Sequence, residues 1–168
     1  ASDGIFTRDL LIERINGDLA NILGNLVQRT ISMGNKYFNG SITNKGVEEE
    51  VDKEFIQNIR SLEARVTEKM DGLQISDAIT EIFSLLRASN KYIDDTTPWI
   101  LAKDESLKDR LETVLYNLLE AIRVSAVFLT PFLPNTGEEI LKQINQECKD
   151  FDYNDHNSYR SEEHTSEL

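Results

Sequence analysis

LKDRLETVLYNLLEAIRVSAVFL, residues Leu107 to Leu129, is the stretch that decides the fold. Leu107, Leu111, Val114, Leu115, Leu118, Leu119, Ile122, Ala126 and Leu129 recur three and four residues apart, the spacing that lines one side of an α-helix. Pro131 and Pro134 end the pattern, and Thr136 with Glu139 reads as a capping box that opens a short last helix to about Ile144. Upstream, Ile75, Ala78, Ile79, Ile82, Phe83, Leu86 and Ile93 predict a helix from about Ile75 to Asp94, and Pro98 disfavours its continuation through Thr97. Phe55, Ile59, Leu62 and Val66 line another from about Val51 to Met70, closed by Asp71-Gly72. Residues 39–48 are polar with two glycines and read as a loop. Before them, Leu19, Ile22, Leu23, Leu26, Met33 and Tyr37 form one stripe from Asp18 to Phe38, stopped by Asn39-Gly40. A shorter helix is expected from Thr7 to Ile15, with Thr7 as N-cap and Asp9 in its first turn. No segment alternates at period two. The sequence is therefore read as all-α, an antiparallel helical bundle spanning residues 1–144.

Length and charge bound the rest. The chain has 168 residues, 39% of them apolar, enough for one domain with a core. No apolar run approaches the roughly 20 residues a bilayer needs, so no membrane span is expected. The single cysteine, Cys148, excludes a disulfide framework and a cysteine-based zinc site. The chain shows no signal peptide, which fits a cytoplasmic address, although it begins at Ala1 rather than Met. The net charge of −12 argues against broad affinity for nucleic acid, because phosphates want a basic face. The acid is uneven: residues 145–168 hold seven acidic and two basic side chains. Helical patterning fades there, and residues 145–168 are expected to be a disordered tail. Its last stretch, RSEEHTSEL at 160–168, resembles the translation of a short-read sequencing adapter and is read as non-native.

Catalytic signatures are not found. The sequence has no glycine-rich phosphate loop, no nucleophile elbow and no His-x-x-x-His spacing, and both histidines, His156 and His164, lie in the tail. Glu48-Glu49-Glu50 and Asp94-Asp95 read as solvated acids, so neither a catalytic nor a metal site is expected. Two binding candidates remain. Asn21, Asn25, Arg29, Ser32 and Lys36 gather on one polar flank of the Asp18–Phe38 helix, with Asn25 and Arg29 four apart and so neighbours. An amide beside a guanidinium can read the polar edge of an unpaired base; an ordinary solvated flank is the plainer alternative. Pro98-Trp99 is the second. A tryptophan held just past a helix end can stack on an unpaired base, or can plug the end of the core.

These residues resemble a known family. Asp18–Met33 (DLANILGNLVQRTISM) with Asn35-Lys-Tyr-Phe is similar to the opening anticodon-domain helix of the bacterial methionyl-tRNA synthetases. Asn90-Lys-Tyr-Ile-Asp-Asp-Thr-Thr-Pro-Trp-Ile-Leu-Ala-Lys, Val114–Arg123 and Leu129-Thr-Pro-Phe-Leu-Pro continue the likeness in order, over about Asp3 to Ile144. The resemblance implies a helical anticodon-binding domain of the class I aminoacyl-tRNA synthetase type. Its parent ligase attaches methionine to tRNA using ATP with magnesium, through a catalytic domain that this stretch does not contain, so the chain alone is expected to be inactive and to hold no cofactor. Asn25, Arg29 and Trp99 match the positions that contact the CAU anticodon of methionine tRNA in that family. Pro98 is expected to fix the approach of Trp99, and Lys36, Lys91 and Lys103 to offer phosphate contacts. The partners so implied are methionine tRNA and the catalytic domain, with no DNA and no membrane; oligomeric state is not legible. The alternatives are the corresponding domain of a related class I synthetase, such as that for cysteine or leucine, and a helical interaction module with no RNA role.

Overall fold

The computed structural model describes residues 2–147. Cys148, His156, His164 and the 160–168 segment lie outside the described residues. Every element of the described chain is helical: α1 (Ser2–Phe38), α2 (Glu50–Asp71), α3 (Ile75–Thr96), α4 (Pro98–Leu101), a single 3-10 turn (Glu105–Leu107), α5 (Lys108–Leu129) and α6 (Pro134–Glu147). The all-α expectation holds.

Boundaries near both ends differ from the sequence reading, and the last helix runs to Glu147, past Ile144 and into the expected tail, whose remaining residues lie outside the described ones. The two N-terminal helices are one, a 37-residue rod about 55 Å long. The helix runs on through Asn16-Gly17, so Thr7 and Asp9 stand inside it rather than at its start. A glycine can sit in mid-helix where neighbouring turns are stable, at a cost near 1 kcal/mol against alanine. The last helix begins at Pro134, not Thr136. Proline at a first helical position lacks only an N–H that had no partner anyway, so it starts the helix and leaves the Thr136/Glu139 pair inside. Gly137 lets α6 come close to α5, for a Cβ there would lie 2.2 Å from the Thr130 Oγ1.

α5 is the axis. Every residue from Arg110 to Ala126 is buried, and α1, α2, α3, α4 and α6 all touch it. α2 and α3 form the closest pair of helices, a hairpin closed at its far end by a Schellman motif, with Gln74 N–H donating to Lys69 O (2.7 Å) and Leu73 N–H to Met70 O (3.0 Å). The left-handed residue is Leu73 (φ 58°), one place beyond the glycine that the sequence offered as the stop. Along the hairpin, Arg65 donates to Glu81 (2.5 Å) and Phe55 stacks on Tyr92 with ring centroids 4.2 Å apart.

A buried polar network ties the helices to one another. Asp52, wholly buried in the first turn of α2, accepts four donors: the Tyr92 hydroxyl (2.5 Å) and Arg110 Nη2 (3.0 Å) on Oδ1, and Arg110 Nη1 and the Glu49 N–H (2.9 Å) on Oδ2. Four is about the capacity of a carboxylate, so the charge is buried without leaving a lone pair idle. Asn117 donates to the Tyr92 oxygen (3.0 Å), and Arg110 also donates to Val47 O (2.8 Å). Burial, with the Asp52 carboxylate beside it, raises the Tyr92 hydroxyl far above its usual range, so it stays a donor. Burial works against the Arg110 charge, but Asp52 outweighs it and holds the guanidinium above its usual value.

The 40–49 loop is fastened by the same means. Thr43 donates twice to Glu112 Oε2, from its N–H (2.9 Å) and its hydroxyl (2.6 Å), and the Val47 N–H reaches the Thr113 hydroxyl (3.2 Å). Ile42 is fully buried beneath.

Asp52→Asn should lower the unfolding free energy by about 3–5 kcal/mol, because it strands a buried guanidinium, while Tyr92→Phe should cost about 1–3 kcal/mol. Urea titration followed by circular dichroism reads both. Two surface changes should act the other way. Gly17, which has open space around it, and the 87% exposed Leu73 each hold a residue poorly suited to their backbone. Gly17→Ala and Leu73→Gly should each raise the unfolding free energy by about 0.5–1 kcal/mol in the same titration.

Candidate nucleic-acid interface

Asn25 and Arg29 stand where helical periodicity puts them. Leu23, Leu26, Val27, Thr30 and Ile31 face the core of the bundle, which leaves Asn25, Arg29, Ser32 and Lys36 exposed along the opposite flank of α1. Asn25 Nδ2 donates to the Asn21 carbonyl (2.7 Å), so its side-chain oxygen is the group turned to solvent. Arg29 makes no hydrogen bond or ion pair among the described residues, so all five of its donors are open. Most of the other arginines here are committed: Arg65 to Asn58, Ser61 and Glu81, Arg110 to Asp52, Arg123 to Glu120.

Trp99 is 42% exposed and so does not plug the core. Its backbone is set by its neighbours. Thr96 Oγ1 donates to Tyr92 O (2.7 Å), locking the last turn of α3. Thr97 then adopts a left-handed conformation (φ 44°, ψ 66°) that reverses the chain direction, with its N–H on Ile93 O (2.9 Å). That is costly for a β-branched residue, and doubly so before proline. Pro98 is buried and opens α4 at once.

The elements that carry the two candidates meet. The last turn of α1 and the end of α4 share a cavity of about 100 Å³, lined among others by Tyr37, Phe38, Leu101 and Ala102. Arg29 lies eight residues before Tyr37, about 12 Å back along α1. Among the described residues no hydrogen bond or cation–π contact joins Trp99 to Asn25 or Arg29.

The supporting lysines differ. Lys36 is exposed, with its ammonium 5.5 Å from the Tyr37 ring centroid. Lys91 is tied to Asp95 (3.4 Å), and Lys103 has no ion pair among the described residues. Asp94 and Asp95 are exposed, and no group of three or more metal-ligating side chains occurs among the described residues. No helix of the described chain is long and apolar enough to cross a membrane.

Sequence reasoning missed the Asp52 network that holds the end of α3. Its signal was present: Asp52 falls on the apolar line of Phe55, Ile59, Leu62 and Val66, where a carboxylate must find partners.

The family described as the anticodon-binding domain of tRNA ligase matches residues 52–167. The chain is 53% identical over 146 residues to the methionine–tRNA ligase of Clostridium acetobutylicum, covering 87% of this chain and 23% of that protein. It is 43% identical over 144 residues to the methionine–tRNA ligase of Bacillus subtilis, covering 85% and 22%. The apo methionyl-tRNA synthetase of Mycobacterium tuberculosis superposes with a TM-score of 0.72 at 35% identity, covering 77% of this chain and 27% of that one. The chain thus spans about a quarter of the length of the curated relatives it matches. The likeness to methionyl-tRNA synthetases read from Asp18–Phe38 and Asn90–Lys103 is borne out, and the chain belongs to the anticodon-binding domain family of the tRNA ligases.

Proposed function

We propose that this chain is the anticodon-reading part of a cytoplasmic methionine–tRNA ligase, and that Trp99, Asn25 and Arg29 take the first base of the CAU anticodon. The remainder of such an enzyme would attach methionine using ATP with magnesium. The observation that carries the reading is the uncommitted Arg29 guanidinium beside the half-engaged Asn25 amide on one exposed flank of α1, together with the exposed indole of Trp99.

The chemistry favours cytosine. Its Watson–Crick edge carries two acceptors, N3 and O2, and one donor, the N4 amino group. Arg29 supplies donors for the first two, and the open Asn25 oxygen accepts from the third. Uracil turns a donor at N3 toward the guanidinium and a carbonyl at O4 toward the amide oxygen. Such a site rejects the wrong base strongly, because its own polar groups go unpaired. Stacking on Trp99 supplies affinity without this discrimination, since every base has a π-face. Lys36 is placed to meet a loop phosphate, with Lys91 as a weaker candidate because Asp95 already holds it.

Trp99 is the only tryptophan in the chain, so its fluorescence reports on one site. A CAU stem–loop should quench it, and a loop with uracil in the first position should need at least tenfold more RNA. Trp99→Ala should weaken CAU binding by about 10–100-fold, the worth of one base stack. Arg29→Ala should weaken it and also shrink the preference for cytosine over uracil. Both variants should unfold at the parent temperature, since both side chains are exposed. Equal response to the two loops, or binding indifferent to both substitutions, would sink the reading.

A further inference from the structure

The large apolar side chains left exposed among the described residues lie at the two ends of the bundle. Val47, Trp99, Ile100 and Leu107 are at one end, around α4 and the starts of α2 and α5. Leu10, Leu73 and Ile75 belong to the other. Topology fixes which end is which. The last turn of α1 and the end of α4 border one cavity, and α4 follows α3 directly, so α1 and α3 run the same way and finish together. α3 has 22 residues and a length of about 33 Å, which sets the tip of the α2–α3 hairpin that far from Trp99. α1, with 37 residues, is longer by about 20 Å, so its first turns pass the tip.

The tip is built against its own stability. Leu73 is 87% exposed at φ 58°, a conformation that glycine holds without the penalty a Cβ brings. Ile75, two residues on, is 48% exposed. The bonds from Leu73 N–H to Met70 O and from Gln74 N–H to Lys69 O fix this backbone, so Leu73 is held out of the core. RNA is a poor occupant of this end. Glu68, Asp71 and Asp77 are exposed close to Leu73 in the chain, Lys69 is half-buried, and Arg65 is engaged by Glu81, so phosphates are repelled. An apolar point rimmed by polar residues suits a protein surface. The chain spans about a quarter of the length of its curated relatives, which leaves them ample further polypeptide. α1 enters the bundle from this end, so whatever precedes Ser2 in a longer chain arrives beside the tip.

We propose that Leu73 and Ile75 form an apolar docking point for the remainder of the ligase polypeptide, which covers this end of the bundle while the opposite end is left to RNA. Leu73 keeps its unfavourable backbone because burying its side chain against that second domain outweighs the cost of the left-handed conformation. The proposal rests on the ligase reading for the identity of the partner and not on which base Trp99 takes.

The test compares the chain alone with a chimera in which it replaces the matching stretch of the Clostridium acetobutylicum methionine–tRNA ligase. Hydrogen exchange is followed at the amides of residues 72–78 in the parent and in Leu73→Gly, Leu73→Met and Ile75→Ala. These amides are expected to exchange about tenfold more slowly in the chimera than in the chain alone. Leu73→Gly should abolish most of that slowing, although it slows exchange in the isolated chain by stabilising it. Leu73→Met, which keeps an apolar side chain, should retain the slowing, and Ile75→Ala should lose part of it. A merely structural role gives Leu73→Gly the same sign in both settings. If it slows exchange in both, or if chimera and chain exchange alike, the proposal falls. Sedimentation of the chain alone supplies a second check: a dimer that Leu73→Gly dissociates would give the tip to a second copy and overturn the proposal. Weakened CAU stem–loop binding by Leu73→Gly would give it to RNA, with the same result. If the chain fails to tell CAU from UAU loops while Leu73-dependent slowing persists, the anticodon reading falls and the docking point stands.

Discussion

The structure depends on a single buried carboxylate. Asp52 joins the first turn of α2 to the first turn of α5 through Arg110 and to the last turns of α3 through Tyr92, and it caps α2 by taking the Glu49 N–H. Removing two opposite charges from water costs several kcal/mol each, and their mutual attraction offsets that only when the remaining lone pairs and protons are also satisfied. Here they are, so the network specifies a geometry as well as holding it. Slide α3 by one turn and Tyr92 no longer reaches Asp52. Swing the 40–49 loop away and Arg110 loses the Val47 carbonyl.

The need for such a network follows from α5. A helix touched by every other helix cannot confine its polar residues to one wet face. Arg110, Glu112, Thr113, Asn117, Glu120 and Arg123 are all buried. Each has been given a partner: Asp52 for Arg110, Thr43 for Glu112, Tyr92 for Asn117, and for Glu120 the Arg123 three residues on (2.8 and 3.0 Å). A fully apolar α5 would pack against its neighbours in several registers. These polar pairings leave one arrangement in which no buried charge is stranded.

This arrangement explains what the sequence could and could not say. Helix identity was legible because apolar spacing at three and four survives on α2, α3 and α5, and the stop at Asn39-Gly40 is a backbone requirement written in residue type: both residues have positive φ. The α1 break at Asn16-Gly17 was misread because glycine's helix penalty is local and small, and a long helix packed on α5 overrides it. Asn25 and Arg29 were legible as a pair because i and i+4 are neighbours on any helix. Their relation to Trp99, 70 positions further on, was not, since it depends on how the end of α4 meets the end of α1. Ile100 escaped notice for a simpler reason. An isoleucine is presumed buried until a structure shows that it is not.

The buried network and the exposed Trp99 occupy different parts of the chain but are mechanically joined at Thr97. The left-handed conformation there costs about 1–2 kcal/mol for a residue with a Cβ. The conformation persists because both flanks are anchored. Upstream, Thr96 is bonded to the carbonyl of Tyr92, whose hydroxyl is held by Asp52 and Asn117. Downstream, Pro98 is buried, and the Thr97 carbonyl takes the N–H groups of Ile100 and Leu101 (2.9 and 3.2 Å). An extended Thr97 would have to pull Pro98 from its seat or unwind the end of α3. The buried network thus does more than hold the bundle together. It fixes the backbone that leaves Trp99 exposed beyond the end of α3.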